Sequence, residues 1–357
     1  MKTQTPIRLF GSIRLIAFAI LAAFAIAACQ GKADHSRVNS ASTSSSDLTD
    51  CRRIQHQMGE TEVCGQPQKI VVLGSSVLEP LLALDVQPAA YADYMILPTG
   101  NYDTPSQQIP YLGSRITGQL ANVGLATSPS IEAILKVKPD LILGTEYNAS
   151  QYETLSKTAP TLLLDWSNAE KNLTTIAQAV GRSEKAEQLL METEQQIMAA
   201  RDTFAPVVAT HPKVLLLRSG ELQDIYVGNR AFGHCSSLIQ YLGFQLISPP
   251  GFDEFEQDNP ASISLEMLPQ LNDADLIILL GSNFSQPERL NGTAAFENHL
   301  LSDLKRAWKE NAIAQSLNAS QAGRVYFIPY YMCVGLPGSI GTELYLEALE
   351  KQLLPPS

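Results

Sequence analysis

Ser183–Phe204 reads SEKAEQLLMETEQQIMAARDTF. Ala186, Leu189, Leu190, Thr193, Ile197, Ala200 and Phe204 recur at three- and four-residue steps, with Glu, Gln, Lys, Arg and Asp between them. Residues three and four apart share one face of an α-helix, so the spacing predicts a long amphipathic helix with one buried stripe. Ser183 is placed as its N-cap, with Glu184 and Glu187 complementing the first turn. Pro206 and Pro212 bound it on the far side.

The chain resembles itself on either side of this helix. Ser130–Gly144 (SIEAILKVKPDLILG) and Ser264–Gly281 (SLEMLPQLNDADLIILLG in its core) both run Ser, apolar, Glu, a short amphipathic helix, a polar turn, then Asp and an apolar strand ending at Gly. Each copy lies downstream of an apolar strand, Ile70–Leu73 in one case and Val214–Leu217 in the other. Two similar αβ halves around a long helix predict an α/β protein of two lobes joined by a rigid rod. Further strands are expected at Ala89–Ala92, Thr161–Leu164, Phe244–Ile247, Leu276–Leu280 and Val325–Ile328, and helices over Cys235–Leu242 and Glu343–Leu353. Strands alternating with helices imply mostly parallel sheets with functional loops at the strands' carboxyl ends. Residues 94–129, rich in Pro, Gly, Tyr and Thr, read as loops.

Residues 1–28 stand apart. Lys2, Arg8 and Arg14 precede the apolar run Leu15–Ile26, which is short for a permanent membrane span, and Ile26-Ala27-Ala28-Cys29 resembles the bacterial lipobox. Cys29 is then the acylated first residue of the mature chain, and residues 29–50, polar and Ser-rich, form a flexible tether. The remainder divides into a first lobe (51–167), a helical linker containing the rod (168–206) and a second lobe (207–357). A content of 45% hydrophobic residues suffices for substantial cores. Removing a leader that carries Lys2, Arg8 and Arg14 and no acid takes the formal charge from −11 to −14, which disfavours nucleic acid as a partner.

Four cysteines remain after Cys29, an even number that favours disulfides in an exported chain. Cys51 and Cys64 bracket RRIQHQMGETEV, read as a hairpin closed by a bridge. Whether Cys235 and Cys333 pair as well stays open at this point. The spacing shows no Cys-x-x-Cys, and the histidines 35, 56, 211, 234 and 299 are scattered, so no metal site is expected.

The runs CRRIQHQMGETEVCGQPQKIVVLG (51–74), LEPLLALDV (78–86), SPSIEAILKVKPDLILGTEY (128–147), YVGNRAFGHCSSLIQYLGF (226–244) and RVYFIP (324–329) resemble iron–siderophore substrate-binding lipoproteins of bacterial ABC importers. That group includes ferric-hydroxamate and cobalamin receptors, and the match spans about residues 51–353. The resemblance implies a ligand cleft between the lobes, and a periplasmic or cell-surface receptor held by its lipid anchor. It further implies a ferric siderophore as ligand, with an ABC permease and its ATPase as partners. It implies neither enzymatic activity nor a resident cofactor, because the siderophore brings the oxygen ligands of its own iron. A cobalamin or haem receptor of the same fold, or an exported serine hydrolase, are the alternatives. The hydrolase is the weaker, because Pro337 takes the first Gly position of G-x-S-x-G at Gly338-Ser339-Ile340-Gly341.

An anionic organic shell calls for guanidinium forks and aromatic walls. The expected ligand contacts are Arg115, Arg218 and Arg230, with Tyr94, Tyr147, Trp166, Tyr226, Tyr330 and Tyr331 at or beyond strand ends. In the resembled family one Glu on each lobe meets the permease. Glu79 matches the first, and Gln240 stands where the second is expected.

Overall fold

Ile70–Leu73 and Leu141–Thr145 are buried at every residue, as are Thr161–Leu164 and Leu276–Gly281. Apolar runs of this kind suit parallel strands covered on both faces. The structure, a computed structural model, describes residues 50–94, 100–228, 232–249, 261–285 and 291–354. Cys29, most of the tether and Arg230 lie outside the described residues.

In chain order the first half contains β1 (Cys51–His56), β2 (Gly59–Cys64), β3 (Ile70–Leu73), β4 (Ala90–Asp93), β5 (Ala121–Leu125), β6 (Ser128–Pro129), β7 (Leu141–Thr145) and β8 (Thr161–Leu164). β1 and β2 pair as the expected hairpin, closed by the Cys51–Cys64 disulfide. The other six form one sheet in the order β6-β5-β4-β3-β7-β8, parallel except for β6. The expectation of loops over 94–129 is corrected by β5 and β6. Their Ala121-Asn-Val-Gly-Leu and Ser128-Pro sequences carry little apolar alternation, and pairing to the neighbouring β4 makes the strand.

The second half contains β9 (Lys213–Ser219), β10 (Ile225–Val227), β11 (Gln245–Leu246), β12 (Ala261–Ile263), β13 (Leu276–Gly281) and β14 (Val325–Pro329). They form a sheet in the order β12-β10-β9-β13-β14, with β11 also on β9. Here β10 pairs antiparallel to both neighbours, so the second sheet is mixed where the first is mostly parallel.

The rod helix runs Ser183–Thr210, 28 residues, further than the sequence predicts. Pro206 lies inside it. Proline costs a helix one N–H bond and a clash one turn back, and here it stands near the end, where Ala200 and Phe204 are already buried in the second core. Gly181 caps the preceding helix, Ala169–Val180, in a left-handed conformation, and Arg182 rather than Ser183 is the rod's N-cap. Among the described residues no helix is long and apolar enough to cross a membrane.

The halves do not keep separate interiors. One core combines Val72, Leu78, Leu81 and Tyr91 with Phe296, Leu300, Tyr331, Leu336 and Ile340. Helix Ser75–Ala83, which starts at the carboxyl end of β3, is buried at all nine positions and lies against the closing helix Ser339–Leu353. A helix buried on every side is a core helix, and this one joins the two lobes.

Candidate functional site

The carboxyl ends of β4, β7 and β8 bring three of the expected aromatic residues to one edge of the first sheet. Tyr94 follows β4, its hydroxyl 3.0 Å from Thr145 Oγ1 at the end of β7 and its ring edge-on to Tyr147, with centroids 6.0 Å apart. Burial raises the Tyr94 phenol above its ordinary value, and the Thr145 contact offsets this in part. Tyr147 is half exposed. The Trp166 backbone N–H donates to Glu146 Oε2 at 3.0 Å, which ties the end of β8 to the turn bearing Tyr147. Gly74, at φ +116°, lies directly under the Tyr94 ring, where any Cβ would overlap it.

Asn148 holds this turn. Its Oδ1 accepts from the Thr145 N–H at 3.2 Å, and its Nδ2 donates to the Ala126 carbonyl at 2.6 Å and to Gln151 Oε1 at 3.2 Å. It is 1% exposed. The sequence reading passed over it; its signal was an amide placed three residues after Thr145, the spacing of a capping box, which the turn adopts.

A second group forms at the carboxyl ends of β9 and β14, with the neighbouring antiparallel strand β10 alongside. Antiparallel pairing sets Tyr226 opposite Arg218, and the guanidinium carbon lies 4.2 Å from the Tyr226 ring centroid. The rings of Tyr330 and Phe232 are 5.2 Å and 5.8 Å away. Arg218 Nε is buried with no hydrogen-bond partner among the described residues. A guanidinium held by ring faces alone keeps its donors for an incoming acceptor. Phe232 is the member that sequence reasoning missed, since an isolated Phe near a helix start gives no pattern of its own. The Cys235–Cys333 disulfide joins helix His234–Tyr241 to the turn after Tyr330, one step from these rings.

Three expected site residues are placed differently. Tyr331 is 2% exposed and stacks on Tyr111 in the shared core, so it is a core residue and not a ligand wall. It begins a helical turn, Tyr331–Val334, which turns it away from the side that Tyr330 faces. Arg115 lies 3.8 Å from Glu343 on the closing helix, and both side chains are about half exposed. Its charge is engaged across the lobe junction. Glu79, expected on the surface, is fully buried. Its Oε2 accepts from the Gly338 N–H at 2.7 Å and its Oε1 from the Gly341 N–H at 2.8 Å. The signal against exposure was present in LEPLLALDV, because an acid inside a run apolar on all sides is carried inward with its neighbours. Burial pushes the Glu79 carboxyl up to about 7, against the opposing pull of the Gly341, Gly338 and Ile340 N–H groups and of Arg115.

Gln240 is exposed and borders a cavity of about 920 Å³ between the rod helix and both lobes. Glu79, Glu170, Glu194, Arg201 and His234 also border it. His234 Nε2 is 2.9 Å from Thr342 Oγ1, and burial lowers its imidazole to about 4, so it is neutral at ordinary pH. The Tyr94 and Arg218 groups do not border this cavity. Among the described residues Cys51, Glu62 and Cys64 cluster at metal-ligand distance, but both sulfurs are joined in the disulfide.

The family described as "Periplasmic binding protein" matches residues 70–331. YhfQ of Bacillus subtilis (strain 168), named provisionally as an ABC transporter substrate-binding lipoprotein, is 27% identical over 84% of this chain and 88% of its own. The Fe(3+)-citrate-binding protein YfmC of the same organism is 26% identical over 88% of each chain. The crystal structure of Staphylococcus aureus SirA complexed with staphyloferrin B superposes with a TM-score of 0.65 at 22% identity, over 85% of this chain and 98% of that one. The last likeness is one of fold.

Asn148→Ala leaves the Thr145 N–H and the Ala126 carbonyl without their side-chain partner in a buried turn. The expected cost is about 1–3 kcal/mol of unfolding free energy, read by denaturant titration. A change within experimental error would show that the turn is held by its backbone alone.

Proposed function

Since the chain belongs to the periplasmic binding protein family, we propose that it is the substrate-binding component of an ABC importer and that its ligand is an Fe(III)–siderophore complex. The observation that carries this reading is Arg218, a partly buried guanidinium ringed by Tyr226, Phe232 and Tyr330 and left without an acid partner among the described residues. Such a group suits an anionic, aromatic or carboxylate-bearing shell. The names of YfmC and SirA's ligand support the same chemistry. Tyr94, Tyr147 and Trp166 would form the opposing wall. Iron enters as cargo inside its chelator, so the protein contributes no metal ligand. The serine hydrolase alternative gains nothing, because the hydrogen bond of His234 goes to Thr342 and not to Ser339.

Docking to the permease needs exposed charge on each lobe, which Glu79 cannot supply. The two repeated αβ units each carry an acid in the first turn after their Ser: Glu132 follows the N-cap Ser130, and Glu266 follows Ser264. Both are exposed. Both are held below the usual carboxylate range, Glu132 by Lys136 and Glu266 by its own backbone N–H and Ser264. The helix Ile131–Val137 leads into β7, which is parallel to β3, so its first turn lies at the same edge as the strand ends that bear Tyr94 and Tyr147. We assign these two acids to the permease contact.

Three measurements test the reading. Titration with ferric citrate and ferric staphyloferrin B, followed by tryptophan fluorescence, should show binding that Arg218→Ala weakens by about 2–5 kcal/mol. Arg115→Ala, which removes only a half-exposed ion pair, should cost under about 1 kcal/mol. Absence of binding by any ferric complex, with binding of cobalamin or haem instead, would overturn the ligand class. Charge reversal at Glu132 and Glu266 together should abolish ligand uptake by whole cells with binding to the purified protein intact; unimpaired uptake would remove them from the contact. Cys29→Ser should move the protein from the membrane to the soluble fraction, and equal membrane retention would rule out acylation at Cys29.

A further inference from the structure

Glu79 occupies a position that its neighbours make consequential. Its helix, Ser75–Ala83, begins one residue after Gly74, on which the Tyr94 ring rests. Its two carboxylate oxygens hold the N–H groups of Gly338 and Gly341 in the other half of the chain. One turn earlier on the same helix, Ser75 Oγ donates to the Gly335 carbonyl at 2.9 Å. The segment so held, Gly335–Gly341, directly follows the turn Tyr331–Val334, whose Cys333 is bridged to Cys235 and whose N-cap is Tyr330. A single lobe-one helix is thus bonded to the stretch of lobe two that carries one wall of the Arg218 cage.

We propose that Glu79 is a positioning residue, a latch that sets the register between the Tyr94–Tyr147 half and the Arg218–Tyr330 half of the ligand site. The proposal rests on the assignment of that site made above. Gly338 is part of the latch: a Cβ there would lie 3.0 Å from both Glu79 oxygens, so any side chain presses on the carboxylate. Its backbone is extended, with φ −95° and ψ −154°, a conformation open to alanine, so the glycine is needed for the close approach and not for its dihedrals.

The latch responds to protons in a definite direction. Burial is the largest influence on Glu79 and raises it from 4.5 to about 7 in the closed arrangement. Separating the helices returns the side chain to water and to its ordinary value. A proton therefore binds the closed state more tightly than the open one, and the closed state is favoured most below pH 4.5 and loses that advantage as pH rises through 7. The closed-to-open ratio changes by on the order of a hundredfold across this window. The other charged groups around it do not reverse the sign. Arg115 faces Glu79 but is shared with Glu343. His234 is neutral across the range tested, and Glu170, Glu194 and Arg201 border the same cavity, two acids against one base.

Spin labels at Glu153→Cys and Lys309→Cys, exposed sites on the two lobes, would report the interlobe distance by pulsed electron resonance in the full chain without ligand. The wild-type background should show one distance at pH 5.5 and a second, longer one that grows at least tenfold in population by pH 8.5. Glu79→Gln, which cannot titrate, should give a distribution that does not change with pH. Gly338→Ala, which leaves Glu79 in place, should populate the longer distance at both pH values and keeps the test open should Glu79→Gln fail to fold. A wild-type distribution that ignores pH, or a Gln variant that keeps the wild-type response, would overturn the latch. Ferric staphyloferrin B affinity, measured on the same samples, separates the two readings. Distances that shift as described without any ferric binding leave the latch standing and remove the site assignment. Ferric binding with unresponsive distances does the reverse.

Discussion

A carboxylate taken fully out of water must be given donors, and at Glu79 those donors come from the opposite half of the chain. The closing helix Ser339–Leu353 offers them because its first N–H groups have no partners of their own and its N-cap, Gly338, supplies no side chain to take them. Much of the architecture follows from this contact. The acid can be buried only if its helix is covered on every side, and helix Ser75–Ala83 is buried throughout. Covering it brings Tyr331, Leu336 and Ile340 into the core of the first lobe, so the lobes share an interior and do not merely face each other.

The two aromatic groups proposed as half-sites are arranged around that junction. Parallel strands carry Tyr94, Tyr147 and Trp166 at their carboxyl ends on one sheet and Arg218 and Tyr330 on the other, where the antiparallel strand β10 sets Tyr226 opposite Arg218. An acidic chain offers an anionic ligand no long-range attraction, so recognition of the proposed ligand would depend on a local cation away from bulk water, where it counts for more than on the surface. Arg218 is partly buried among three rings, whereas Arg115 is half exposed and paired with Glu343. A 28-residue helix with buried anchors near both ends, Ala186 in one core and Ala200 with Phe204 in the other, ties the two lobes together.

Local pattern and global environment contributed unequally. The stripe Ala186–Phe204, the repeated Ser-x-Glu units and the apolar runs at Ile70, Val214 and Leu276 were legible because a helix face and a buried strand are written in neighbouring residues. The same holds for the Cys51–Cys64 pair, opposed across a short hairpin. Other features had no local signature. The strand Ala121–Leu125 exists through its pairing with β4, and the rod continues through Pro206 because the packing of Phe204 outweighs one lost bond. Long-range contacts of this kind also decided the roles of single residues.

Adjacent tyrosines show the division most sharply. Chemistry and position made Tyr330 and Tyr331 equal candidates, yet one ring packs beside Arg218 and the other is sealed against Tyr111 and Phe296. Glu79 and Glu132 are likewise both acids in short helices, and only the surroundings make one a buried junction and the other a solvated surface charge. The sequence by itself determined the fold class, the rod and the strand ends where a site would form, since periodicity and composition act over a few residues. Tertiary structure alone decided which side chains reach that site, because burial and charge pairing depend on groups hundreds of residues away.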